Sequence, residues 1–140
     1  IGAGGVAKAI AHVLAGLGVR VLILNRTIAK ARSLAQRYGF GYGPCTEHST
    51  ELVANHSDIV IQAASVGMEN ERQGDPLDWY DFNGREAVFD LIYRPERSLL
   101  LERAAAAGCK VTNGWKMLRY QSAAQFAIWT GQEPPSTYFS

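Results

Sequence analysis

Ile1-Gly2-Ala3-Gly4-Gly5-Val6-Ala7-Lys8-Ala9-Ile10, and after it Val19-Arg20-Val21-Leu22-Ile23-Leu24 running into Asn25-Arg26-Thr27, is the stretch that decides the fold. Gly2, Gly4 and Ala7 satisfy the pattern G-x-G-x-x-G/A. The first glycine permits a tight turn, the second lets backbone approach a pyrophosphate, and Ala7 allows close helix packing. Small and apolar residues then continue helically to about Leu17, where Gly18 stops the helix. Such a helix start offers free N–H donors and the positive end of the helix dipole to phosphates. A glycine-rich turn alone also serves plain chain reversal, so its setting has to decide. Here a helix follows, then an aliphatic run of the kind that forms a strand covered on both faces. Only Ile1 precedes Gly2, so the strand that normally aims such a turn is expected to be missing and the chain to be a piece of a longer protein.

Outward from this stretch the alternation continues. Thr27 is placed to cap a helix whose apolar positions Ile28, Ala31, Leu34 and Ala35 have helical spacing, closed by Gly39. A weak helix is expected from Glu47 to Asn55, a strand at Ile59-Val60-Ile61 and a polar loop from Glu69 to Pro76. Then follow a strand from Ala87 to Leu91, a helix from Leu99 to Ala107 and a short strand Lys110-Val111-Thr112. The spacing of Met117, Leu118, Ala124, Phe126, Ala127 and Trp129 predicts a last helix from Met117 to Thr130, ended by Gly131 and Pro134-Pro135, with an extended or loose tail. Strands alternating with helices make an α/β protein, a three-layer αβα parallel sheet of Rossmann-like type with its first strand missing.

Length and composition are consistent with this. A chain of 140 residues is one domain in size. With 47% hydrophobic and 19% charged residues it can bury a core and is not a disordered tail. Fourteen Lys and Arg against thirteen Asp and Glu leave a net charge of +1, too small a field for nucleic acid or anionic lipid. No apolar run approaches the roughly 20 residues of a membrane span. Cys45 and Cys109 have no metal-ligand spacing and read as free thiols of a reducing compartment, which makes the cytoplasm the expected location. His12, His48 and His56 share no ligand spacing, so no metal is expected.

The end of the 19–24 strand lies about twenty residues after the glycine turn, where a dinucleotide's ribose is read. A chain selecting NAD carries Asp or Glu there; this one carries Asn25, Arg26 and Thr27, with Lys30 one turn later. Arg26 offers a planar fork to a 2′-phosphate, Thr27 a hydroxyl and Lys30 a charge, so NADP is preferred.

Gly2-Ala3-Gly4-Gly5 with Asn25-Arg26-Thr27-Ile28-Ala29-Lys30 resembles the cofactor domain of the shikimate dehydrogenase family, with its GAGG turn and N-R-T-x-x-R/K clamp. Ser65-Val66-Gly67-Met68 looks like the family's S-x-G-M segment, and Asp90-Leu91-Ile92-Tyr93 like its D-L-x-Y segment. Asn113-Gly114-Trp115-Lys116-Met117-Leu118, Gln121 and Trp129-Thr130-Gly131 are similar to its N-G-L-G-M-L-x-x-Q…W-T-G ending. Five motifs in order thus span almost the whole chain. The resemblance implies reversible reduction of 3-dehydroshikimate to shikimate with NADPH, a step of aromatic amino acid biosynthesis in the shikimate pathway. It further implies cofactor contacts from Gly2, Ala3, Gly4, Gly5, Val6, Asn25, Arg26, Thr27, Lys30, Ser65, Val66, Gly67, Met68, Gly114 and Met117, and substrate contacts from Tyr93 and Gln121.

On the same resemblance, residues 1–113 form the cofactor domain. Residues 114–140 form a helix and tail that pack toward an absent N-terminal substrate domain, which carries the family's catalytic Lys and Asp. Lys116, Lys110 and Asp90 are the nearest local acid–base candidates, but none matches that pair, so no catalytic residue is assigned. Two segments depart from the family pattern: Trp115-Lys116 replaces Leu-Gly, and Gln62-Ala63-Ala64 stands where N-A-T is common. Quinate use, fusion to a 3-dehydroquinate dehydratase and a non-catalytic NADP-binding regulatory module therefore remain open. Arg26→Ala is expected to weaken NADP binding, by about 1.5–3 kcal/mol, much more than NAD binding; equal losses for both cofactors by calorimetry would remove Arg26 from the phosphate site.

Overall fold

A computed structural model describes residues 1–135 and 138. The elements are α1 (Gly5–Gly16), β1 (Leu22–Asn25), α2 (Ile28–Gln36), β2 (Gly41–Pro44), a 3-10 turn (Glu47–Ser49) running into α3 (Thr50–Ala54), β3 (Ile59–Gln62), β4 (Ala87–Asp90), α4 (Leu99–Ala106), β5 (Lys110–Thr112) and α5 (Trp115–Thr130). All strand pairs are parallel: β1 with β2, and β3-β4-β5 in that order. Part of the predicted tail, residues 136, 137, 139 and 140, lies outside the described residues.

Ile1 and Gly2 hold the two sheets together. The Gly2 amide donates to Leu24 O at 2.8 Å, toward β1. The Ile1 amino group donates to Ile61 O at 2.7 Å and Ile1 O accepts from the Ala63 amide at 2.8 Å, toward β3. Successive residues of a strand bond to opposite neighbours, so Ile1 and Gly2 stand where a central strand stands. Beyond them β1 and β3 face each other across a slot lined by Leu22, Leu24, Ile59 and Ile61, with His56 and Ser57 also in its wall. From this centre β1 and β2 run to one side, and β3, β4 and β5 to the other.

Each face of the sheet has its own core. Ile23 packs with Ala7 and Ala11 of α1 and Ala31, Leu34 and Ala35 of α2. Its neighbour Leu24 points the other way, into Val53, Val60, Leu77, Tyr80, Val88, Leu100, Leu101 and Ala104. Alternation along one strand thus builds the three layers. The small residues of α1 and α2 let both helices lie close against β1; Ala31 and Ala35 are fully buried.

Most element ends fall within a residue or so of the sequence expectation, but some features differ. Residues 19–21 precede β1, because its partner β2 offers only four residues, starting at Gly41 opposite Leu22. Strand β2 itself went unpredicted: Gly-Tyr-Gly-Pro has neither apolar alternation nor β-branched residues, and its position at a sheet edge tolerates both the glycines and Pro44. α5 begins two residues early, at Trp115. Thr27 does stand at the N-cap of α2, but its side chain makes no capping bond.

The 24 residues between β3 and β4 are anchored by Arg103 of α4. Its Nε donates to Asp75 Oδ2 at 2.8 Å, its terminal nitrogens donate to Leu77 O and Tyr80 O, and the guanidinium lies 4.9 Å from the Phe82 ring centroid. Below them Glu86 is buried. Its carboxylate accepts from the Asn83 and Arg85 amides, the Tyr80 hydroxyl and the Cys109 thiol, at 3.0–3.3 Å. Cys45 is likewise a free thiol, donating to Pro76 O at 3.2 Å.

Burial pushes the Glu86 carboxyl up, but the converging donors outweigh burial and hold it below its ordinary value. A carboxyl held low in the fold contributes stability that is present above its unfolded pKa and lost as pH falls through the folded one. Glu86→Gln is therefore expected to cost about 1–3 kcal/mol at neutral pH. Urea titrations should show the difference from wild type closing as pH drops below the usual carboxylate range; a difference independent of pH would contradict the assignment.

Candidate functional site

The strands end together where the two halves of the sheet diverge from Ile1, and α1 starts at that divergence. Crevices at such reversals of strand order are where open α/β sheets bind ligands. Gly2 has φ +105, and a Cβ on it would lie 2.9 Å from Ala63 C and 3.0 Å from the Ala64 amide nitrogen. Its glycine identity is thus imposed by its own chain. Gly4 and Gly5 differ, since a Cβ on either would meet nothing within 4 Å. Gly4 is the N-cap of α1 and supplies no side-chain cap, and the first turn contains no acidic residue. Lys8 is the residue whose amide bonds back to Gly4 O, at 3.1 Å, so the amides of Gly5, Val6 and Ala7 lie ahead of the helix's own ladder. The result is an open cradle of donors at the positive end of a 12-residue helix.

On the β1 side, Asn25 closes the strand and its Nδ2 donates to Thr27 O at 2.9 Å, shaping the turn that presents Arg26. Arg26, Thr27 and Lys30 are all exposed. Among the described residues no carboxylate lies within ion-pair distance of Arg26 or Lys30. Two unengaged cations beside an uncapped helix start suit a ligand carrying a phosphate beyond its pyrophosphate, so the residues present fit NADP.

On the other side, the turn after β3 carries Ser65, Val66, Gly67 and Met68. Gly67 has φ +92, its amide donates to Arg72 O at 2.8 Å, and a Cβ there would approach Gly74 O to 3.1 Å. Ser65 and Met68 are exposed. After β4, Tyr93 is 38% exposed and its ring stands 6.1 Å from that of Trp115, itself 51% exposed at the start of α5. Gly114 is buried: a Cβ on it would fall 1.9 Å from Leu91 O, and its amide donates to Ile92 O at 3.1 Å. The chain's own crossing at Leu91 thus already demands this glycine. Met117 is half-buried, and Gln121 is exposed farther along α5 and makes no hydrogen bond to Tyr93.

The acid–base candidates are spoken for or displaced. Asp90 is fully buried, its Oδ1 accepting from the Ile92 amide at 3.0 Å and its Oδ2 from the Ser98 hydroxyl at 2.5 Å. Burial pushes its carboxyl up while these two bonds pull it down. Asp90 braces the loop into α4. Lys110 opens β5 opposite Ala87, the first residue of β4, which puts it at the far end of the sheet from the crevice. Lys116 is exposed in the first turn of α5. Sequence reasoning named Asp90 and Gln62 without their structural roles, because only burial turns a polar residue at a strand end into a brace.

The family model described as shikimate / quinate 5-dehydrogenase matches residues 1–70, and that of the shikimate 5′-dehydrogenase C-terminal domain matches residues 114–138. A shikimate dehydrogenase (NADP(+)) of Methanothrix thermoacetophila is 42% identical over 137 residues, which is 96% of this chain and 49% of that protein. A crystal structure of a shikimate dehydrogenase in complex with NADP+ superposes at TM-score 0.81 with 32% identity, over 99% of this chain and 50% of that one. The quinate dehydrogenase of Corynebacterium glutamicum in complex with NAD does so at 0.80 and 28%, over 99% and 51%. The chain spans about half the length of the relatives it matches.

The two kinds of glycine separate fold from binding. Gly2→Ala is expected to cost about 2 kcal/mol or more in thermal unfolding. Gly4→Ala, at the N-cap, should cost about 1 kcal/mol, less than Gly2→Ala, yet weaken dinucleotide binding at least tenfold in a calorimetric titration. Unchanged binding in Gly4→Ala would show that the cradle holds no phosphate.

Proposed function

Because the chain belongs to the shikimate / quinate 5-dehydrogenase family, we propose that it is the NADP-binding half of a two-domain shikimate dehydrogenase that reversibly reduces 3-dehydroshikimate to shikimate. The observation that carries this reading is the open cradle at Gly4-Gly5 beside Arg26 and Lys30, cations with no carboxylate partner among the described residues. Gly5, Val6 and Ala7 would bind the pyrophosphate through backbone amides. Arg26, Thr27 and Lys30 would hold the 2′-phosphate, and Asn25 the turn beneath them. Bound NADPH would supply the hydride.

The nicotinamide end of an extended dinucleotide would then lie across the crevice, over Ser65, Val66, Gly67 and Met68, with Gly114 and Met117 at its edge. Tyr93 and Gln121 would reach the hydroxyls or carboxylate of a polar ring. Trp115, its ring tilted against that of Tyr93, adds an apolar wall there. The proton partner for the reacting oxygen would come from a substrate domain. Support for such a domain comes from the length of the relatives, about twice this chain, and from α5, which buries only Ala123 and exposes Phe126, Ile128 and Trp129. Helix α5 would pack toward it. A cytoplasmic location fits two free thiols, and no helix among the described residues is long and apolar enough to cross a membrane.

The test is turnover by the protein carrying this chain at full natural length, followed as NADPH absorbance. Shikimate with NADP+ should turn over at least tenfold faster than quinate with NADP+ or shikimate with NAD+, in kcat/KM. Preference for quinate would reassign the substrate; NADP+ binding without turnover of either acid would favour a regulatory module.

A further inference from the structure

Gln62 is one of the fully buried polar side chains of the protein, and nothing above gives it a part in binding. It is the last residue of β3, paired in register with the equally buried Asp90 at the end of β4. Its amide is fully committed: Oε1 accepts from the Ala64 amide at 2.8 Å, and Nε2 donates to Ala64 O at 3.0 Å and Val66 O at 3.1 Å. Both donor hydrogens are spent on one three-residue arc of backbone. The same arc touches the glycine turn, since Ala63 and Ala64 are the atoms that exclude a Cβ from Gly2, and it continues into Ser65, Val66, Gly67 and Met68.

We propose that Gln62 is a positioning residue that fixes the loop from Ala64 to Val66 against the glycine turn, and so sets the nicotinamide side of the dinucleotide site. This rests on the NADP reading above. The adenosine end depends on β1, Arg26 and Lys30, none of which Gln62 bonds to, so the two ends of the ligand should respond differently to its loss. Leu fills the space of Gln without offering either donor or acceptor. Asn keeps a bond of the Asx type to the amide two residues on but is one methylene too short to hold Val66 O as well.

The experiment compares wild type, Gln62→Asn and Gln62→Leu in the full-length protein, with NADP+ and adenosine 2′,5′-bisphosphate as probes. In Gln62→Leu the Kd for NADP+ is expected to rise about tenfold while the Kd for the bisphosphate stays within twofold, with Gln62→Asn between wild type and Leu. Hydrogen exchange should show lost protection of the Ala64 amide in Gln62→Leu, and kcat should fall more than the bisphosphate Kd changes. NADP+ affinity unchanged in both variants, with wild type binding both probes, overturns the proposal alone. So does an equal loss of both probes, which marks general destabilisation. Wild type binding neither probe overturns the NADP reading and this proposal with it.

Discussion

Two residues of backbone join the two halves of the sheet in this protein. Ile1 bonds to β3 and Gly2 to β1, and the turn between them and α1 exists only because Gly2 can sit at φ +105 with no Cβ against Ala63. Every later feature inherits its place from this junction. The sheet splits into two wings there, the helices take opposite faces, and α1 begins with its donors over the gap. A parallel sheet has no hairpins to register its strands, so the junction also aligns the strand ends whose loops would meet a ligand.

Those strand ends are built with a shared device. Gln62 and Asp90, neighbours in register, are both buried, and each turns its polar atoms into the loop that follows. A buried polar group must be hydrogen-bonded or be costly, so placing amides and carboxylates at the ends of aliphatic strands forces the next few residues into one conformation. The crevice loops thereby gain order beyond what their own apolar side chains, such as the buried Ile92, supply. Exposed residues such as Arg26, Ser65, Met68 and Tyr93 are carried on these braced supports.

Glycine does two separate jobs in the same few positions. At Gly2, Gly67 and Gly114 the missing Cβ relieves contacts within the chain, with backbone neighbours at 1.9–3.1 Å. At Gly4 and Gly5 it relieves none, and the space stays open. Gly16 is equally open, so the open space at this pair argues for a ligand only because it lies over the unbonded amides of an uncapped helix start.

From sequence alone the α/β class, the parallel order, the glycine turn and the Asn25-Arg26-Thr27 end of β1 were readable, because hydrophobic period and local turn chemistry depend on near neighbours. Strand β2 was not, since Gly-Tyr-Gly-Pro becomes a strand only by lying beside β1. Nor were the tasks of Gln62, Asp90 and Gly114 readable. Each depends on an atom brought close by folding or on exclusion from water, such as Val66 O, the Ser98 hydroxyl or Leu91 O. Local pattern specifies which elements form; only packing decides which polar group is buried beside which loop, because burial is a property of the assembled layers and not of any segment.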